Sequence, residues 1–201
     1  MRLILGIGNP GNKYKYNRHN VGFIVLDHFA SLNSLAFTAS QGDYYFARGS
    51  LSDNDYQLIK PTTYVNNSGI AAKQVLEQNK LHIEDLLVIH DDVNLPHAEI
   101  RVKARGGDGG HNGLSSVLWH LMSDEFARIR IGVGSDFERG DMAEYVLTDF
   151  NDNEMKMLDE KFDTVSTLID EFITGGVNGL LDANSRLSNP NKDSENNHTR
   201  S

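Results

Sequence analysis

Residues 2–32 read RLILGIGNPGNKYKYNRHNVGFIVLDHFASL, and the order of apolar and polar residues in them sets the fold class. RLILGI is a short apolar run that suits a buried strand. From Val21 onward, Val21, Ile24, Val25, Phe29 and Leu32 recur at helical spacing. The polar loop between them holds Gly6, Gly8 and Gly11 at the G-x-G-x-x-G spacing of dinucleotide-binding folds. Its context argues against a dinucleotide. Pro10 biases Asn9 away from the α region, NKYKYNR has no helical periodicity, and the helix begins only near Asn20. The acid at a suitable distance, Asp27, falls inside that helix and not at the end of a second strand. The first unit is strand, loop, helix.

Working outward, residues 43–61, DYYFARGSLSDNDYQLIKP, predict a hairpin turning at Ser52 to Asp55, with Pro61 ending its second strand. SGIAAKQVLEQN (68–79) predicts a helix with Ser68 as N-cap, and DLLVIHDD (85–92) a buried strand ending in polar residues. EIRVKA (99–104) alternates as a half-exposed strand does, HNGLSSVLWHLM (111–122) reads as helix, and ARIRIGVG (127–134) as strand. Residues 153–174 carry Met155, Leu158, Phe162, Val165, Leu168, Ile169, Phe172 and Ile173, the stripe of a long amphipathic helix. A shorter helix is expected around Val177 to Arg186. The alternation of β and α segments predicts a single three-layer α/β/α domain over residues 1–187, with a mixed, mostly parallel central sheet. Residues 188–201 lack apolar side chains beyond one proline, so a disordered C-terminal tail is expected.

Composition narrows the class. At 201 residues with 39% hydrophobic content, one substantial core is expected. No stretch of about 18 apolar residues occurs, so no membrane-spanning helix is expected, and MRLILGIG is too short for a signal peptide. The absence of cysteine rules out disulfides and thiolate metal sites and suits a cytoplasmic protein. The net charge of −9 is unevenly placed: residues 135–171 hold twelve acids and three bases, whereas residues 1–134 hold thirteen of each. The acidic segment reads as a solubilising surface, which leaves room for a basic face elsewhere.

Four polar segments follow strands: GNPGNKYKYNRHN, TTYVNNSG, HDDVNLP and RGGDGGHNG. If all lie at carboxyl ends of strands, they converge on one crevice. Together they supply His19, His90 and His111 as bases, Asp91 and Asp92 as orienting groups, and Asn9, Asn20, Asn66, Asn67 and Asn112 as amide donors. That inventory suits acid/base chemistry with amide stabilisation of a developing charge. No G-x-S-x-G, H-E-x-x-H or G-K-[ST] motif is present, and the spacing of His90, Asp91, Asp92 and His111 matches no specific metal pattern. His28 and His120 lie within helical segments and read as packed or exposed side chains.

Five segments in this order, GIGNPGNKYKYNRHNVGF, KPTTYVNNSG, HDDVNLP, GGDGGHNGL and RIRIGVG, resemble the successive signatures of bacterial peptidyl-tRNA hydrolases, over Arg2 to about Leu187. The resemblance implies a monomeric, cytoplasmic α/β hydrolase that acts in translation without metal or cofactor, with peptidyl-tRNA as its partner. It would cleave the ester between a peptide and the terminal ribose of tRNA and release free tRNA for reuse. Carried over by motif position, His19 is the general base, Asp91 its orienter, and Asn9 the group that stabilises the reacting carbonyl. Substrate contacts fall to Tyr14, near the acceptor end, to Tyr64, and to Asn66 and Asn112, which hold the peptide. Lys103 and Arg130 correspond to a clamp for a tRNA phosphate. His111 belongs to the motif without a settled role. On this reading GIGNPG is a tight loop that aims Asn9 into the crevice, its glycines serving backbone geometry. The sequence departs from the family pattern at Val65, usually Met, which is expected to alter the pocket wall beside Asn66, and at Asn94, usually an acid. Two other classes fit parts of the sequence: an inactive RNA-binding relative, opposed by the retained His19, Asp91, Asn9 and Asn66, and a nucleotide-dependent oxidoreductase, supported by the glycine spacing alone.

Overall fold

The computed structural model describes residues 1–188. The tail assigned to 188–201 lies outside the described residues except for Ser188, which is helical. Seven strands form one sheet: β1 (Arg2–Gly6), β2 (Thr38–Ala39), β3 (Tyr44–Leu51), β4 (Asn54–Pro61), β5 (Leu86–Asp92), β6 (Ile100–Lys103) and β7 (Ala127–Gly132), in the order β2-β3-β4-β1-β5-β7-β6. The central strands β4, β1, β5 and β7 are mutually parallel, and the antiparallel pairings lie toward the edges. The helices are α1 (Val21–Leu32), α2 (Ser68–Asn79), α3 (Asn112–Leu121), the short α4 (Met142–Tyr145) and α5 (Asp152–Ser188). Helix α5 is interrupted at Gly176, where φ is 62° and ψ −151°, so it divides where the sequence placed two helices.

Alternate residues of each strand face opposite sides of the sheet, and each side is apolar. Ile4, Leu58, Leu87, Ile89 and Ile129 meet α1 and α5, whereas Leu3, Leu5, Ile59, Leu86 and Val88 meet α2 and α3. The hairpin turns on Ser52 and Asp53, both at positive φ, which is the two-residue geometry that matches strand twist. Ser68 does not cap α2 as the sequence reading expects. Asn67 occupies the cap position, and Ser68 is the first helical residue, its hydroxyl donating to the Val65 carbonyl at 2.8 Å.

The glycines of the opening loop are explained by close packing more than by turning. A Cβ on Gly6 would stand 2.5 Å from the Gly22 carbonyl oxygen, and one on Gly8 would enter the Phe23 ring. Only Gly11, at φ 103°, adopts a backbone conformation that needs glycine. Gly22 itself would clash with the Ile89 and Ile7 carbonyl oxygens, at 2.5 and 2.7 Å, so the first turn of α1 rests directly on the ends of β1 and β5. This contact brings the residues just before α1 over the carboxyl end of β5.

One topological expectation is corrected. The segments after β1, β4 and β5 do leave from the same end of the sheet, but β6 runs antiparallel to β7, so RGGDGGHNG leaves from the other direction. Lys103 lies level with Val88, and the chain must climb back past β5 to reach His111. Arg128 guides that return: its guanidinium sits over the Phe126 ring and donates to the carbonyls of Gly106 and Gly107.

Gly22→Ala is expected to destabilise the fold by about 1–3 kcal/mol, because the added methyl meets backbone that cannot yield. Gly107→Ala, whose methyl meets nothing within 4 Å, is the control and should leave the urea midpoint unchanged. Equal midpoints for the two variants would contradict the close contact of α1 with the sheet.

Candidate active site

Asp91 is the last but one residue of β5, with 1% of its side chain exposed. Its carboxylate accepts from two imidazoles: His19 Nδ1 lies 2.8 and 2.9 Å from its two oxygens, and His111 Nε2 lies 2.8 Å from Oδ1. An acceptor-only carboxylate requires a proton on both of those nitrogens. For His111 a second constraint agrees. Its Nδ1 accepts from the backbone N–H groups of Gly113 and Leu114, capping α3, so its proton must be on Nε2. For the neutral His19 ring the consequence is that Nε2 is the unprotonated nitrogen, the form a general base needs.

The charges follow this geometry. Burial raises the Asp91 carboxyl, but the imidazoles of His19 and His111 and their hydrogen bonds outweigh it and hold Asp91 well below the usual carboxylate range. Burial lowers His19, yet the Asp91 charge and hydrogen bond carry its pKa above the ordinary 6.5. His90 differs. Complete burial and the neighbouring His111 push it down to about 3, and its Nδ1 bonds the Asp91 carbonyl at 2.7 Å, so it is a neutral packing group and not a base.

His19 sits in a 3-10 turn just before α1 and is held by its backbone as well as its ring. Its N–H donates to the Val146 carbonyl at 2.8 Å, directly after α4. The preceding residue, Arg18, is buried. Its guanidinium contacts the rings of Tyr145 and Phe150 and bonds Glu154 at 2.6 and 2.8 Å, which straps this turn to the segment around α4. The following residue, Asn20, exchanges two hydrogen bonds with the Asn9 backbone, at 2.8 and 2.9 Å. Asn9 in turn accepts the Val65 N–H on its Oδ1 at 3.0 Å, which fixes its amide and leaves Nδ2 as the donor. His19 and Asn9 are thus locked together through Asn20, a connection that sequence spacing does not display.

A cleft opens beside this cluster, lined by His19, Asp91, Gly110, His111, Met142 and Val146 among others. Asn112 lines it too and also borders a second concavity containing Asn66. Tyr14 and Tyr64 meet edge to face, ring centroids 6.3 Å apart, with Lys13 Nζ 4.6 Å from the Tyr14 centroid. Val65 is buried in the core against Gly113 and lines neither concavity, so the expected change in the pocket wall gives way to a backbone role beneath Asn9.

Lys103 and Arg130 stand on neighbouring strands, their side chains on the same face because Lys103 pairs with Arg128 and Arg101 with Arg130. Lys103 is exposed, whereas Arg130 is engaged: Nε and Nη2 both bond Asp92 Oδ2, at 2.7 and 2.6 Å. Potential ligand atoms of His19, Asp91 and His111 lie within 4.8 Å of one another, but here they satisfy each other as N–H donors and carboxylate acceptor.

Similarity to known proteins gives the family. The peptidyl-tRNA hydrolase family model matches residues 3–195. A peptidyl-tRNA hydrolase of Geobacter metallireducens is 43% identical over 176 residues, covering 88% of this chain and 90% of that protein. One from Thermodesulfovibrio yellowstonii is 41% identical over 93% of this chain and 100% of its own length. The crystal structure of peptidyl-tRNA hydrolase from Acinetobacter baumannii superposes with a TM-score of 0.85 at 29% identity, covering 91% of this chain and 93% of that one. With the family model matching residues 3–195, relatives above 40% identity over most of both chains and a shared fold, the chain belongs to the peptidyl-tRNA hydrolase family.

Proposed function

We propose that the chain hydrolyses the ester between a peptide and the terminal ribose of tRNA by direct attack of water, with His19 as general base. The observation that carries this reading is the bond from His19 Nδ1 to the buried Asp91, which leaves Nε2 free to take a proton beside the cleft. Water gives a proton to Nε2 as its oxygen bonds the ester carbonyl carbon. The resulting oxyanion accepts from Asn9 Nδ2, held in advance by the Val65 amide. When the tetrahedral intermediate collapses, the ribose oxygen leaves with the proton from the imidazolium. Asp91 stabilises that cation and keeps the ring in the required tautomer.

Substrate contacts are assigned from position. Tyr14 and Tyr64 offer aromatic faces to the acceptor end, and Asn66 and Asn112 offer amides to the peptide. Lys103 and Arg130 form the phosphate clamp. The reading places the enzyme in the cytoplasm as a monomer; no helix among the described residues is long and apolar enough to cross a membrane.

Replacing the base tests the mechanism: His19→Ala should lower turnover by about 10²- to 10⁴-fold while leaving tRNA binding largely intact. Near-normal turnover, or a peptide bound covalently to the protein, would exclude direct attack by water with His19 as base. The pH profile supplies an independent check. Since His19 acts when neutral and its pKa in the free protein is raised, kcat/KM should fall as pH drops through a midpoint above 6.5. Asp91→Asn removes the charge that raises it and leaves the opposing burial, so the acid limb should move to lower pH as the rate falls. For the clamp, Lys103→Ala should raise KM more than it lowers kcat and reduce the salt dependence of log KM by about one unit of slope.

A further inference from the structure

The register of β1 against β5 ends at Gly6 and Ile89, and the last contact between them is the Ile7 N–H donating to the Ile89 carbonyl at 2.9 Å. Along a parallel strand the backbone groups of residues two apart point to the same side. The Asp91 carbonyl therefore faces away from β7, toward the side that β1 has left for the opening loop. The intervening register confirms the alternation: the Asp92 carbonyl points the other way and accepts from Val133, just beyond β7, at 3.2 Å. A buried carbonyl needs a donor. That of Asp91 is supplied by the preceding residue, for His90 Nδ1 lies 2.7 Å from it, and because a carbonyl only accepts, the proton is on Nδ1.

His90 is 2% exposed, and its other nitrogen, Nε2, is buried without a hydrogen-bond partner among the described residues. The ring stands edge to face against His111, centroids 5.0 Å apart, level with Arg130 on β7 and on the same side of β5 as Asp92. An unpaired buried acceptor is a cost that a phenyl ring would not carry, so filling this space does not account for an imidazole. The single bond to Asp91 does. We propose that His90 is a positioning residue, which fixes the backbone at Asp91 and with it the direction of the Asp91 carboxylate; the assignment rests on the hydrolase reading above. Little freedom is available there. The carboxylate must meet His19 Nδ1 at 2.8 and 2.9 Å and His111 Nε2 at 2.8 Å together, and a turn of the Asp91 backbone in search of another donor would disturb all three contacts. With a pKa of about 3, held down first by burial and then by His111, the ring is neutral wherever the enzyme works, so its Nδ1–H is a constant donor.

Two substitutions separate the donor from the ring. His90→Phe keeps the aromatic volume and removes the donor, whereas His90→Asn offers an amide N–H near the place of Nδ1 and removes most of the ring. With His90→Phe, kcat/KM for peptidyl-tRNA should fall by about ten- to a hundredfold, most of it in kcat. Its urea midpoint should stay close to the parent's, since the change removes one unpaired acceptor, Nε2, as it creates another, the Asp91 carbonyl. The Asp91 charge and hydrogen bond are what raise His19, so a displaced carboxylate should move the acid limb to lower pH by about half a unit or more. His90→Asn should show the reverse pattern: a lower midpoint from the cavity it leaves, but a rate within about threefold of the parent and an unmoved acid limb. His90→Leu, smaller than a phenyl ring and equally without a donor, carries the same kinetic expectation as His90→Phe. Parental rates and acid limbs in the Phe and Leu variants, or losses in His90→Asn as large as theirs, would overturn the proposal. The titration of His19 in the free protein, followed by NMR, reads the same displacement without substrate. Failure of the unaltered protein to release peptide would remove the hydrolase reading, and that titration would still decide whether His90 positions Asp91.

Discussion

The Asp91 carboxylate is charged and almost wholly out of water, and the site is arranged around its compensation. A buried charge is tolerated only when its lone pairs are met by donors. Both donors come from distant parts of the chain: His19 from the turn before α1 and His111 from the end of the glycine-rich segment. Satisfying one carboxylate therefore draws two loops together over the end of β5. It also sets both tautomers, since each ring must present N–H to Asp91. The ring whose other nitrogen is used by the α3 amides becomes a support, and the ring whose other nitrogen is free is the one suited to the base role proposed for it.

That constraint works only because the backbone of each loop is fixed independently. Arg18 illustrates how. A buried guanidinium must also be matched, and its partners Thr148, Asp149 and Glu154 all lie beyond α4, where Tyr145 and Phe150 close over it. The turn carrying His19 is thereby paired to the segment that forms one wall of the cleft. On the opposite side, Arg128 draws the glycine-rich segment up toward His111 by its carbonyls. Two buried arginines, each adjacent to chemistry but outside it, hold the two imidazoles at one acid.

Local signals made much of this legible from sequence. Apolar periodicity located the strands and helices other than the two-residue β2 and the one-turn α4, the short polar turn located the hairpin, and the last helical segment divides near Gly176 where two helices were expected. The residues that meet at the site were named as well, because imidazoles, acids and amides cluster after strands. Strand direction was not readable. Nothing in EIRVKA distinguishes parallel from antiparallel pairing, which depends on contacts made far away in the chain. Nor did residue type reveal partnerships: Val65 contributes its backbone and not its side chain, and His90 and His111 look alike in sequence although one is buried and neutral while the other caps a helix and bonds Asp91. Such roles are decided by burial and by the second nitrogen of the ring.

The pairing of Arg130 with Asp92 bears on why the two cations of the proposed clamp differ. A lysine ammonium held by a carboxylate could bridge to a phosphate, but its rotatable donors would fix no orientation for it. A guanidinium is a planar fork. Here Nε and Nη2 both face one oxygen of Asp92, so the edge carrying Nη1 is not used by that contact. Arg130 can stay anchored while it offers N–H groups to a phosphate oxygen, and the anchor limits the rotamer freedom that binding would otherwise have to remove. Lys103 is exposed on the adjoining strand. In the proposed clamp one anchored and one exposed cation would together position the phosphate relative to β5, and Asp92, which holds the anchored one, is the immediate neighbour of Asp91.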